Sequence, residues 1–240
     1  TRPDAVIVTS VDRTHDEYIC RAMELGCDAI TEKPMTTTAE KCRRILATQK
    51  KTGRSCRVTF NYRYSPPRTQ IKDLLMTGAI GDVLAVDFQW LLNTSHGADY
   101  FRRWHRNKVN SGGLMVHKAT HHFDLVNWWL SSVPETVHAQ GRRAFYRPET
   151  AARYGLKRRG ERCRGCAEAK RCPFFLDLER TGGMREMYLE QEQHDGYIRD
   201  QCVFSDRIDI EDDMQVIARY ASGRCSVIRS APICPGRGIS

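Results

Sequence analysis

A chain of 240 residues with 40% hydrophobic content is long enough to bury a sizeable core, in one large domain or in two, and is expected to be soluble and globular. No run of 18 apolar residues occurs, so no membrane-spanning helix is expected, and no basic segment followed by an apolar one opens the chain. The formal charge of +9 sits mostly between Arg142 and Cys172, where 11 Lys and Arg face 3 Glu without the interleaved aromatics of a base-stacking platform, so no nucleic-acid partner is expected.

In chain order, Asp4 to Ser10 is a short apolar run with the pattern of a parallel strand buried on both faces. Residues 14–26 have helical spacing, with Thr14 as N-cap, Glu17 at the capping-box position and Gly26 as the stop. A strand from Asp28 to Pro34 follows, then a helix from the threonines at 36–38 to Gly53, then a strand over 55–64. This β-α-β-α-β order argues for part of a doubly wound parallel sheet, assigned to residues 1–62.

Pro66-Pro67 marks a break, and residues 63–240 are assigned to an α+β domain with an open, mainly antiparallel sheet. It begins with a helix over 68–81 and an alternating strand over 82–93. A polar, aromatic-rich loop spans Thr94 to Ser111, and an apolar helix runs from Ser111 to Trp129. A strand over 135–146 precedes a basic, Cys-rich insertion at about 142–202, and a hairpin turns at Ser222-Gly223. Four cysteines, Cys20, Cys27, Cys42 and Cys56, stand singly inside these elements, as small core residues do in a reducing compartment, and a cytoplasmic location is expected.

The helix from Ser111 carries more titratable groups than an apolar helix should. On one helical face His117, His121 and Asp124 fall at i, i+4 and i+7, a polar stripe that points to a cleft, because burying such groups without partners is costly. Satisfied core histidines are the bland alternative. A His-x-x-x-His pair also suits zinc, but Lys118 stands where a metalloprotease places its glutamate base, which weighs against a metal-dependent hydrolase. A second constellation, Glu32-Lys33-Pro34, lies at the carboxyl end of a predicted parallel strand, where open α/β sheets place ligands.

The ordered set formed by residues 3–15, Glu32 to Met35, Phe60 to Pro66, residues 78–88, Ser111 to Trp129 and residues 212–223 resembles the Gfo/Idh/MocA family of oxidoreductases. The resemblance implies a Rossmann domain for NAD or NADP, meeting the cofactor through Thr9, Ser10, His15, Glu32, Lys33 and Pro34. It implies that Lys33 contacts the nicotinamide ribose and the substrate. His121 would act as acid/base on a sugar or polyol hydroxyl while hydride moves to the nicotinamide. Some members instead cleave glycosides through transient oxidation. Many relatives carry aspartate four residues before that histidine; here His117, followed by Lys118, occupies the position and joins the catalytic candidates. No Gly-x-Gly-x-x-Gly occurs in the chain, so the pyrophosphate cradle is expected upstream of Thr1, and a continuation is expected beyond Ser240.

Substrate contacts are assigned to Arg63, Tyr100, Arg103, Lys118 and Asp124, with His105 nearby. Cys163, Cys166 and Cys172, at spacings x2 and x5, with Cys202 further on, have the makings of a structural zinc site, and their positive surroundings favour thiolates. A homo-oligomer through the open sheet completes the expectation; no membrane partner is expected.

Overall fold

In the computed structural model, residues 3–233 are described. Strand β1 (Ala5–Val8), helix α1 (His15–Glu24), β2 (Asp28–Thr31), α2 (Ala39–Thr52) and β3 (Cys56–Val58) form a parallel sheet ordered β1-β2-β3. Two successive crossovers of one hand place both helices on the same face. There Val8, Ile19, Cys20, Met23, Ala29 and Ile45 make one core. The opposite face is bare in this chain, and Ile7 is 71% exposed, so β1 is buried on one face and not on both as its apolar run suggested.

Local signals hold for α2; for α1 the stop at Gly26 holds, at φ 82°, and the start does not. The Thr38 hydroxyl accepts the Lys41 N–H at 3.3 Å, and Gly53 closes the helix at φ 65°. Thr14 instead ends a 3₁₀ turn over Asp12–Thr14. Its hydroxyl donates backwards to the Val11 carbonyl at 2.7 Å, so no capping box with Glu17 forms. The third strand is shorter than expected, because Asn61–Tyr64 turns into a 3₁₀ segment that leads to α3 (Pro66–Met76).

The second sheet has the order β4-β7-β6-β5, from β4 (Ala85–Asn93), β5 (Pro134–Arg142), β6 (Asp213–Tyr220) and β7 (Cys225–Ile233). Pairs β5/β6 and β6/β7 are antiparallel and β4/β7 is parallel. The segment expected as a loop from Thr94 is largely helical: α4 (Thr94–Arg102), a 3₁₀ turn at Trp104–Arg106, and α5 (Lys108–Ser111). The Asn93 side chain accepts the N–H groups of Ser95 and His96 and starts α4, a cap hidden in a run that reads as strand. Next come α6 (Leu114–His117) and α7 (Thr120–Leu130). Helix α7 lays Val126 and Leu130 on Val216, Ala218, Tyr220 and Ile228. The other face of the sheet leaves Leu91 and Ile217 exposed.

The basic segment is folded around its own core of Phe101, Tyr146, Leu156, Phe174, Phe204 and Ile210, with α8 (Pro148–Arg153) at its start. Several arginines turn inward to hold it. Arg162 pairs with Glu192 at 2.5 Å and Asp200 at 2.6 Å, Arg199 with Asp99 at 3.0 Å, and buried Arg102 donates to the Phe174 carbonyl at 3.0 Å.

Candidate active site

The carboxyl ends of β1 and β2 face the junction of α6 and α7. After β1, the 3₁₀ turn buries Asp12 to 3% exposure; after β2 the chain presents Lys33, whose N–H is held by its neighbour Glu32 at 2.6 Å. From the other side, Gly112 and Gly113 turn the chain with φ 72° and 85°. A Cβ on Gly113 would stand 2.5 Å from a Glu211 carboxylate oxygen, and that same carboxylate accepts the Met115 N–H at 2.8 Å. Glycine therefore lets α6 start against Glu211, and α6 delivers His117 into the cleft.

Three side chains from three separate elements join there. His117 Nδ1 lies 2.5 Å from Asp12 Oδ2, and its Nε2 lies 3.3 Å from Lys33 Nζ. Lys33 also donates to the His117 carbonyl at 3.0 Å. Burial pushes the Asp12 carboxyl up to about 7, against the pull of His15 and Lys33. Burial first, then the positive charges of Lys33 and Lys118, pushes His117 down to about 3. Desolvation also lowers Lys33, opposed by Asp12 and Glu32. The pair therefore holds a neutral imidazole against a carboxyl group that changes charge close to neutral pH.

His117 and His121 do not share one continuous helix, because α6 ends at His117 and α7 begins at Thr120. They remain neighbours across that break. His121 stacks on Tyr62, ring centroids 4.1 Å apart and planes within 10°, and its Nδ1 is buried without a partner. Burial, followed by Lys33 and Lys118, pushes it down to about 3. His122 faces away between Phe88 and Trp90, with neither ring nitrogen partnered, and is the core histidine of the cluster.

The remaining assignments divide. Lys118 donates to the Tyr62 hydroxyl at 3.2 Å and lies over the Tyr62 and Trp90 rings at the cleft wall. Arg63 and Asp124, expected to meet substrate, are engaged with each other in a bidentate ion pair at 2.7 and 2.5 Å. Tyr100 packs edge-on to His117 at 5.8 Å; His105 lies 4.3 Å from His117 and burial pushes it down to about 2. Arg103 adds positive charge that lowers both histidines. Thr9 and Ser10 are exposed at the sheet edge. His15, expected at the cofactor, is buried with its ring nitrogens 2.9 Å from the Ser10 and buried Pro34 carbonyls, and so ties the two strand-end loops together.

Asp12 was not singled out from sequence. The rule that selected Lys33, a polar side chain just beyond the carboxyl end of a parallel strand, applies equally to Asp12 after β1. The zinc reading of the histidine pair is not met, since Asp12 and Lys33 occupy both ring nitrogens of His117. Among the described residues no three His, Cys, Asp or Glu side chains stand as a ready metal centre. The four later cysteines do line one small cavity, but burial pushes the thiols of Cys163, Cys172 and Cys202 up, outweighing the positive surroundings expected to favour thiolates.

A parallel sheet whose strand ends carry a lysine and a carboxylate, closed by a histidine-bearing helix on a second sheet, defines a two-part α/β protein with a polar site at the strand ends. Comparison with known proteins agrees: residues 1–60 match the oxidoreductase family's NAD-binding Rossmann fold, and residues 72–234 match the same family's C-terminal alpha/beta domain. The chain belongs to the Gfo/Idh/MocA oxidoreductase family. It is 39% identical over 242 residues to the YteT protein of Bacillus subtilis (strain 168), covering 97% of this chain and 56% of that protein. It is 26% identical over 129 residues to the D-glucoside 3-dehydrogenase of Escherichia coli (strain K12), covering 54% of this chain and 36% of the relative. The myo-inositol 2-dehydrogenase structure from Lactobacillus plantarum shares the fold with a TM-score of 0.62 at 13% identity, covering 96% of this chain and 51% of that one. The chain thus spans about half the length of these relatives. No helix among the described residues is long and apolar enough to cross a membrane.

Proposed function

We propose that this chain supplies the nicotinamide-facing and substrate-facing half of an NAD- or NADP-dependent oxidoreductase acting on a hydroxyl carbon of a sugar or polyol. The observation that carries the reading is the continuous chain Asp12–His117–Lys33, which joins the parallel sheet to the second domain at the strand ends. Thr9, Ser10 and Lys33 fit the nicotinamide-ribose end of a dinucleotide, being polar and gathered at the carboxyl edge of the sheet. A bound nicotinamide supplies the hydride acceptor. Inositol and glucoside dehydrogenases among the relatives support the substrate class.

The residues of this chain then manage the proton. The Lys33 ammonium passes a proton to His117 Nε2 as the Nδ1 proton moves to Asp12, and takes the hydroxyl proton in its place. Asp12 is the group in the cleft that changes charge near pH 7, so it is the sink. His121, held neutral by its cationic neighbours, donates a hydrogen bond from its ring N–H to the substrate oxygen and orients it. Tyr62 stacked beneath it fixes the ring. The exposed face of the second sheet supports association with a second copy of the chain.

The test uses the full-length protein. Fluorescence titration with NADH and NADPH measures cofactor binding, and kcat/KM on a sugar and polyol panel is followed against pH. Oxidation is expected to rise with pH through an apparent pKa near 7, because the deprotonated carboxylate is the active form. Asp12→Asn is expected to bind NADH normally, lose that rise, and fall by ~10²-fold. An Asp12→Asn profile that keeps the wild-type limb removes Asp12 from the mechanism; no nicotinamide binding by the folded protein removes the whole reading.

A further inference from the structure

Cys163, Cys166, Cys172 and Cys202 take no part in the chemistry above, yet all four line one cavity of about 20 Å³, walled also by Leu156, Phe174 and Phe204. The backbone brings them there from two stretches of chain. The Cys163 N–H donates to the Asp200 carbonyl and the Cys202 N–H to the Glu161 carbonyl, both at 2.8 Å, flanking the antiparallel bridge Arg162–Gln201. A tight turn, Cys166 N–H to Cys163 carbonyl at 3.0 Å, adds the third sulfur. None of the four is in a disulfide.

Every one of these sulfurs also receives a backbone N–H. Leu176 donates to Cys163 and Gly160 to Cys166, each at 3.4 Å, Phe174 donates to Cys172, and Phe204 to Cys202. A neutral thiol is a weak acceptor, so four amides aimed at four gathered sulfurs are better matched to sulfur carrying negative charge. Such N–H contacts are the outer support that orients metal-bound thiolates. Positive charge is close by: Arg102 lies 3.9 Å from Cys163 Sγ, and Arg106 and Arg159 act on Cys202.

We propose that Cys163, Cys166, Cys172 and Cys202 bind a single zinc ion in an all-thiolate structural site. Four thiols and Zn²⁺ give a tetrathiolate complex of charge −2 and release four protons, so the charge balances, and the nearby arginines offset the net negative complex. Among the described residues no three of these sulfurs stand as a ready metal centre, so binding requires the thiols to move closer together. The cavity has room for one ion rather than a cluster of several irons and sulfides. The site clasps residues 160–175 to 200–204 behind the core of Phe101 and Tyr146; Phe101 lies in α4, which also presents Tyr100 to His117.

The full-length protein, purified without added metal or a metal-affinity tag, is analysed for zinc and iron by plasma mass spectrometry. About one zinc per chain is expected, with the four thiols slow to react with a disulfide reagent until a strong chelator is added. Exchange of the wild type with Co²⁺ is expected to give the visible bands of tetrahedral thiolate coordination, a readout independent of variant folding. Cys166→Ser and Cys202→Ser are expected to lose the zinc and the cobalt bands, while Cys42→Ser, in α2, keeps both. Absence of zinc together with failure to take up cobalt, iron with acid-labile sulfide, or disulfides among the four cysteines would each overturn the proposal.

Discussion

The parallel-sheet unit, residues 4–59, and the segment from Thr94 to Ala119 place their buried polar residues differently. In the first, the buried polar side chains Asp12, His15, Asp16, Thr31 and Thr36 sit at helix starts, strand ends and the loops beside them, and the period of the apolar residues maps onto the elements with few exceptions. In the second, Arg102, His105, Arg106, Ser111 and His117 are all buried, inside short helices broken at Arg103, Gly112 and Lys118. Burying so many polar groups costs stability unless partners are supplied, and those of His117, Arg102 and Arg106 come from far along the chain: Asp12, Phe174 and Gln201. Ordinary elements are thus built from local pattern, and the site from distant compensation.

The sharpest way to break this contrast is acid. His105 and His117, buried in the second segment, are held neutral well below the ordinary histidine value, to about 2 and 3, and His121 and His122 just beyond it to about 3. The unfolded chain protonates these groups from about pH 6.5 downward while the folded one does not, so stability falls as pH drops from 6.5 towards 3. Each histidine contributes at most ~1.4 kcal/mol per pH unit, less for the half-buried ring of His121. Asp12, raised to about 7, acts in the opposite sense and gains stability as pH falls through that value. Urea unfolding monitored from pH 7 to 5 is expected to show a net loss of several kcal/mol, and His122→Phe, which removes one such group from an aromatic pocket, is expected to flatten the slope.

A smaller effect tests the tie between the segment after β3 and helix α7. Asp124 is buried against Arg63, itself a third exposed, so Asp124→Ala should destabilise by ~2 kcal/mol, short of the full cost of a deeply buried pair because solvent screens the arginine that remains. An Arg63→Ala/Asp124→Ala double variant that recovers most of the loss would confirm direct coupling; strict additivity would deny it.

The least change is expected at helix starts. Thr38→Ala removes a formed cap and should cost about 1 kcal/mol, whereas Glu17→Ala should cost close to nothing, because its capping box is absent. Equal losses in thermal melts of the two variants would show that the Thr14 end of α1 is capped in solution after all.

Much of the fold was legible. The β-α-β-α-β order, a helix beside the Pro66-Pro67 break, the alternating β4 and the hairpin at Gly223 follow from apolar period and turn residues. Of the site, Lys33, His117 and His121 were legible as chemistry-bearing residue types at a strand end and on a helix. Their connection was not. Asp12 lies 105 positions from His117 and nothing local marks it as a partner. For the same reason the ion pair between Arg63 and Asp124 was not foreseen, and Thr94 to Ser111 read as loop because its helices are short and owe their stability to packing.

The sequence by itself determined most of the strands and helices, that a parallel unit is followed by one with a mainly antiparallel sheet, and where the reactive residue types lie, because these depend on interactions over a few residues. Tertiary structure alone decided that β1 leaves one face open, that His117 sits between Asp12 and Lys33, that His122 belongs to the core, and that four cysteines from two stretches meet around one cavity. Burial and hydrogen-bond partnership are properties of the packed chain, and they set the charge state and the reach of each side chain.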